Sequence, residues 1–152
     1  MSNITAIILA RNEEQHIEEC IKSVQCADEI LVIDDGSTDR TVEIAETLGA
    51  KVIHHALNGD WSQQRRFGIS QASCDWILFI DSDERVSTAL NDELRKAIQS
   101  GEKKAYWFTR YNIFHNTSAT PWVFPLQSKI GEHIIRYDGL TEFAQGSPLL
   151  GS

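Results

Sequence analysis

Apolar runs and amphipathic stretches alternate through the first hundred residues of the chain. Residues 4–10 (ITAIILA) and 76–80 (WILFI) are short and almost wholly apolar, as strands are when a parallel sheet is covered on both faces. Residues 29–34 and 51–55 read as two further strands. The segments between them carry helical spacing instead. Over 13–24 that spacing puts Ile17, Cys20, Ile21 and Val24 on one stripe. Ser37, Thr38 and Asp39 offer N-caps for a helix that runs through Leu48 and buries Val42, Ala45 and Leu48, and Gly49 stands where a left-handed stop is expected. A loop with Asn58, Gly59 and Asp60 leads to a helix over 62–72, and a last helix over 89–100 buries Leu90, Leu94, Ala97 and Ile98. Strand then helix, four times over, predicts an α/β fold, a mainly parallel sheet with helices on both faces.

After Gly101 the pattern changes. Residues 105–110 suit one more strand, but beyond Asn116 the periodicity fades, and all three prolines and four of the nine glycines fall in this stretch. The expected division is a domain over 1–115 and an irregular segment over 116–152. That segment reads either as a loop-rich tail or as the remnant of a second half.

Composition narrows the function classes. With 14 Lys+Arg against 22 Asp+Glu the net charge is −8, and no basic run exists to displace counterions from a nucleic-acid backbone. A nucleic-acid partner is therefore not expected. The apolar runs fall far short of the ~20 residues a membrane span needs, and the N-terminus lacks the pattern of a signal peptide. The expected location is the cytoplasm, where the sequon at Asn116 meets no glycosylation machinery. Three cysteines (Cys20, Cys26, Cys74) at no metal-ligand spacing read as reduced packing residues.

In a parallel sheet, ligands bind at the carboxyl ends of the strands. Polar residues gather there: Arg11, Asn12 and Glu13 after the first strand, and Asp34 to Ser37 after the second. A long loop reaching Gln64, Arg65 and Arg66 follows the third, and Asp81 to Glu84 follow the fourth. Right-handed crossovers that set strands two and four on either side of strand one put both acidic clusters in one crevice. Two carboxylates 4 Å apart repel by about 4 kcal/mol at an effective dielectric of 20. A divalent cation relieves that conflict, and Asp81-Ser82-Asp83 offers oxygen ligands to Mg²⁺ or Mn²⁺ that also takes diphosphate oxygens. The Asp35 carboxylate only accepts, which suits a base edge presenting a ring N–H, as uracil and guanine do. Glu13 suits ribose hydroxyls.

Each cluster alone has a plainer reading. Asp35 to Asp39 also suits a turn and a helix cap, Arg65 and Arg66 a solvated helix face, and Trp61 and Trp76 core or loop covers. Adjacent His54 and His55 point to opposite faces of a strand and make a poor metal pair. The joint placement of clusters after strands one, two and four favours a site.

The stretches ITAIILARNEEQHIEECIKSV, EILVIDDGSTDRTVEIAE, GDWSQQRRFGISQA and DWILFIDSDERVS resemble, in order and spacing, the nucleotide-binding half of family 2 glycosyltransferases with the GT-A, Rossmann-like fold. The resemblance covers about residues 3–100, and its Trp-loop-Gln-Arg segment and DSDERV ending look most like the lipopolysaccharide-core glucosyltransferase branch. It implies inverting, metal-assisted transfer of a sugar, glucose in that branch, from a UDP-sugar to a glycan or lipid-linked acceptor at the inner face of the membrane. Carried over, Glu13 and Asp35 hold ribose and base with Arg11 beside them. Asp34 supports that edge, Gln64 and Arg65 lie near the diphosphate, Asp83 binds the metal, and Asp81 contacts ribose or the metal and its water. The family's general base belongs to the acceptor-binding half, where Glu132 and Glu142 are carboxylates but neither is assigned. A truncated or C-terminally altered member is expected, with an open apolar edge that favours association into a homo-oligomer. The alternative is a non-catalytic nucleotide-sugar binding module or an inactive transferase.

Other classes fit less well. A haloacid-dehalogenase phosphatase places Asp-x-Asp after its first strand, with Thr or Val where Arg85 stands here. A phospho-receiver wants acids where Ala10 and Arg11 stand. No G-x-G-x-x-G or Walker lysine is present.

Overall fold

The four apolar runs assemble side by side. A computed structural model describes residues 3–100 and the short strands at 106–107, 113–114, 117–118 and 141–142. Strands β1 (Ile4–Ala10), β2 (Glu29–Asp34), β3 (Lys51–His54) and β4 (Trp76–Asp81) lie in the order β3-β2-β1-β4. All three pairings are parallel. Strand one is thus flanked by strands two and four, as the crossover argument expects. All seven residues of β1 are buried, which is why its sequence is apolar without alternation. The register sets Ala10 opposite Asp34 and Leu9 opposite Asp81, so both acids leave the sheet level with the end of its central strand.

Helices α1 (Ile17–Ser23), α2 (Thr41–Thr47), α3 (Trp61–Gln71) and α4 (Thr88–Ser100) cover the two faces unequally. Ile4, Ala6, Ile8 and Ala10 of β1 pack with residues of α1, α2 and α4, whereas Ile7 and Leu9 join Leu31 and Ile33 under Phe67 of α3. The period-two alternation of a strand divides the core in this way. Gly68 lets α3 approach closely, since a Cβ there would stand 3.0 Å from Ile7 Cγ2. Gly49 takes φ +84° and ends α2 as expected.

Three helix expectations shift. Residues 13–16 form a turn rather than helix, with the N–H groups of His16 and Ile17 both bonded to the Glu13 carbonyl at 2.9 Å. On α2 it is Thr41, not Val42, that is buried beside Ala45, because its hydroxyl donates to Asp39 and accepts from the Glu13 N–H at 2.8 Å. On α4 Ala97 is only half-buried. All three cysteines are free, and burial pushes the Cys20 thiol up to about 12.

Two small antiparallel ladders follow. β5 (Tyr106–Trp107) pairs with β8 (Thr141–Glu142), and β6 (Ile113–Phe114) with β7 (Thr117–Ser118). The strand expected over 105–110 is present at 106–107. The rest of it, Asn116, Glu132 and the remainder of 116–152 apart from β7 and β8 lie outside the described residues.

Candidate functional site

A cleft of about 510 Å³ opens at the carboxyl ends of the strands. Its charged lining is Arg11 and Glu13 after β1, Asp35 after β2, Arg65 on α3, and Asp81 and Asp83 at and beyond the end of β4. Gln64, Ser82 and the apolar Leu9, Ala10, Ile33, Leu57 and Trp61 complete the wall. Seven of the eight site residues expected from the sequence therefore meet in one place; Asp34 is the eighth.

Asp34 lies behind that wall. Its side chain is 0% exposed and accepts from the N–H groups of Gly36 at 3.0 Å and Ser37 at 3.1 Å, while His54 Nδ1 lies 2.9 Å away. Burial raises its pKa, but the hydrogen bonds from Ser37, His54 and Gly36 outweigh it and hold the carboxyl below its ordinary value. The residue shapes the turn that presents its neighbour. Gly36, at φ +74°, makes that turn passable.

Asp35 faces the cleft. Its Oδ1 accepts from the Leu57 N–H at 2.7 Å and its Oδ2 from Arg11 Nη1 at 3.1 Å. The Arg11 side chain is 66% exposed and the Asp35 side chain 15%, so the arginine can swing away while the carboxylate stays. A carboxylate offers about four lone-pair sites, and two donors leave room for a third.

The loops after β1 and β2 are laced together. The Asn12 N–H donates to Ser37 Oγ at 2.9 Å, and its Oδ1 accepts from the Thr38 N–H at 2.7 Å. The Glu14 N–H donates to Asp39 Oδ2, and the Arg40 N–H donates to Glu14 Oε2, both at 3.1 Å. Asn12 adopts φ 53°, a left-handed conformation that asparagine tolerates. Much of the Asp-Gly-Ser-Thr-Asp motif thus serves to hold these loops, and Glu13 is presented between them.

On α3 the work is divided by helix face. Gln64, 2% exposed, is spanned by one histidine: its Nε2 donates to the His55 carbonyl at 2.7 Å and its Oε1 meets His55 Nδ1 at 2.5 Å. The His55 ring stacks on Phe67 with centroids 3.8 Å apart. Gln64 is in this way a strut between β3 and α3 as well as a wall of the cleft. Arg65 turns the other way, its guanidinium 5.9 Å from the centre of the Phe79 ring. Leu57 has no signal in the sequence, whereas Trp61, which reads there as a core or loop cover, lines the cleft, and His55, half of a poor metal pair, braces Gln64; the Asn58-Gly59 turn signal is the clue that brings Trp61 back to the cleft.

After β4 the chain turns tightly. The Asp81 N–H donates to Glu84 Oε2 at 3.0 Å and the Glu84 N–H donates to the Asp81 carbonyl at 2.9 Å. Ser82 is buried, and Asp83 is exposed at the tip. Around the cleft two guanidiniums face four carboxylates. Among the described residues no three His, Cys, Asp or Glu side chains are grouped as a complete metal site. Two carboxylates are nevertheless what Mg²⁺ or Mn²⁺ commonly takes from a protein when substrate phosphates and waters complete its shell. The donor set fits such an ion.

A parallel sheet with a polar cleft at its carboxyl edge makes this a Rossmann-like α/β protein, and its likeness to solved glycosyltransferase structures places it in the GT-A class. The model for glycosyl transferase family 2 matches residues 5–147, and the chain belongs to that family. It is 39% identical over 129 residues to a protein of Rickettsia bellii (strain RML369-C) named as an uncharacterized glycosyltransferase, covering 83% of this chain and 44% of that one. It is 28% identical to the lipopolysaccharide core biosynthesis glycosyltransferase LpsC of Rhizobium meliloti (strain 1021), covering 68% and 40%. Among solved structures, S. aureus TarS 1-349 matches with a TM-score of 0.64 and 25% identity over 80% of this chain and 39% of that one. Glucosyl-3-phosphoglycerate synthase from Mycobacterium tuberculosis, in complex with Mn²⁺, UDP and glucosyl-3-phosphoglycerate, matches with a TM-score of 0.60 and 25% identity, over 73% and 44%. The chain spans less than half the length of these relatives.

Proposed function

We propose that this chain binds the nucleotide-diphosphate sugar of an inverting glycosyltransferase, with UDP-glucose as donor and a glycan or lipopolysaccharide core as acceptor. The observation that carries the reading is a cleft in which side chains from the ends of β1, β2 and β4 and from α3 set two guanidiniums against four carboxylates. Asp35 accepts from the base N–H, with Arg11 beside it, and Glu13 accepts from the ribose hydroxyls. Arg65 meets the diphosphate, and Asp81 and Asp83 hold the divalent cation. That ion, when bound, supplies Lewis-acid stabilisation of charge on the leaving diphosphate. Asp34 and Gln64 position the walls.

Similarity to LpsC and to the Mn²⁺ and UDP complex supports the acceptor and the donor readings in turn. A lipid-linked acceptor draws the protein to the inner face of the membrane as a peripheral partner; no helix among the described residues is long and apolar enough to cross it. Among the described residues β4 pairs with β1 alone, an edge that also suits a second copy.

The test is calorimetric titration of UDP into the 152-residue chain with Mn²⁺ and again with EDTA. Metal-dependent binding is expected. A folded chain that binds neither UDP nor GDP overturns the reading, and preference for GDP overturns the choice of base.

A further inference from the structure

Apolar side chains share the cleft with its charged groups: Leu9 and its register partner Ile33, Ala10, Leu57 and Trp61. Trp61 is 59% exposed, and with Ile69 it is one of two large apolar side chains so exposed among the described residues. An indole held open at the mouth of a cleft gains most from a flat partner.

Its position is not a loose one. The Leu57 N–H is bonded to Asp35 Oδ1 at 2.7 Å, and the Asp60 N–H closes a turn onto the Leu57 carbonyl at 3.0 Å. Asn58 and Gly59 take φ 49° and 78° within that turn. Asp60 then caps α3, accepting from the Gln63 N–H at 3.0 Å. Trp61 is thereby tied, through four residues, to the carboxylate proposed to read the base edge.

We propose that Trp61 is the stacking wall of a nucleobase slot, its indole lying against the face of a base whose ring N–H donates to Asp35. The inference rests on the donor reading above and assigns a residue that reading does not use. A nucleobase has apolar faces and a polar edge, and the cleft offers an exposed indole together with the acceptor Asp35 to which the indole's loop is bonded. The diphosphate is anionic and the sugar is polyhydroxylated, and neither presents the flat π-face that an indole stacks on.

The test compares wild type, Trp61→Ala and Trp61→Phe by calorimetry of the full chain in Mn²⁺, with UDP, UDP-glucose and inorganic diphosphate as ligands. Trp61→Ala is expected to weaken UDP and UDP-glucose alike by about 5- to 150-fold, the range of one lost base–aromatic stack, and to leave diphosphate unchanged. Trp61→Phe regains most of that loss. Unchanged UDP affinity in Trp61→Ala overturns the proposal. So does an equal loss for diphosphate, which marks a role through the helix, or a loss confined to UDP-glucose, which marks a sugar platform. A wild type that binds none of the three overturns the donor reading itself and takes this proposal with it.

Discussion

The side-chain oxygen of Asn12 accepts a hydrogen bond from the Thr38 N–H at 2.7 Å, so a residue just after β1 shapes the loop after β2. Asn12 also adopts φ 53°, and the two demands separate by substitution. Asn12→Gly loses only the side-chain bonds, about 0.5–1.5 kcal/mol. Asn12→Ala loses them too but keeps a Cβ in the left-handed region, about 1–2 kcal/mol worse than glycine there, without the local hydrogen bonds by which asparagine tolerates it. Urea unfolding should rank wild type above Asn12→Gly and Asn12→Gly above Asn12→Ala; equal stability of the two variants would remove the backbone argument.

Asp35 joins two loops and faces the cleft, so Asp35→Ala acts twice. UDP affinity should fall by about 1–3 kcal/mol, the cost of losing a charged hydrogen bond. Hydrogen exchange at the Leu57 amide should quicken, because its acceptor at 2.7 Å is gone. Calorimetry and exchange read the two effects apart, and an unaltered UDP affinity would sink the base-edge role.

Asp83 stands exposed at the tip of its turn. Asp83→Asn should leave the melting curve within about 0.5 kcal/mol of wild type and abolish the difference between Mn²⁺ and EDTA in UDP binding. A variant that keeps that difference removes Asp83 as a metal ligand.

Asp34 links the site to acid stability. Its pKa is lower folded than unfolded, so the stability it contributes is present above the unfolded value of about 3.9 and is lost as pH falls through the folded one. Asp34→Asn should flatten the decline of unfolding free energy below about pH 4. Denaturant titrations at a series of pH values check this, and an unchanged acid slope contradicts it.

Gly68→Ala sets two effects against each other. Alanine gains about 1 kcal/mol in helix propensity. The new Cβ would meet Ile7 Cγ2 at 3.0 Å, and Ile7 is wholly buried on the central strand, so overpacking of about 1–3 kcal/mol prevails. A lower melting temperature is expected; a rise would show that Ile7 can give way.

The central strand was legible because burial on both faces leaves an apolar run without alternation, and the strand order because crossover geometry admits few arrangements. Helix ends were less so. The stretch 13–24 has helical spacing throughout, yet the chain turns through 13–16 because the loops after β1 and β2 bond to one another. No local signal in RNEE announces a partner some 25 residues away.

Of the cleft, the charged residues were readable from their place after strands, since a parallel sheet gathers its strand ends on one edge whatever the helices do. Their division of labour was not. Asp34 and Asp35 are adjacent acids, and only the packed structure buries the first as a brace and turns the second to the cleft. Gln64 and Arg65 part in the same way on α3, one held by His55 and the other set over Phe79. Trp61 reads from sequence as a cover, and its exposure in the cleft that Asp35 lines follows from a turn anchored by the long-range Leu57–Asp35 hydrogen bond. The sequence by itself determined the sheet, its covering helices and the edge where chemistry collects, because these follow from periodicity and chain connectivity. The tertiary structure alone decided which side chains brace and which face the cleft, because that depends on contacts between segments distant along the chain.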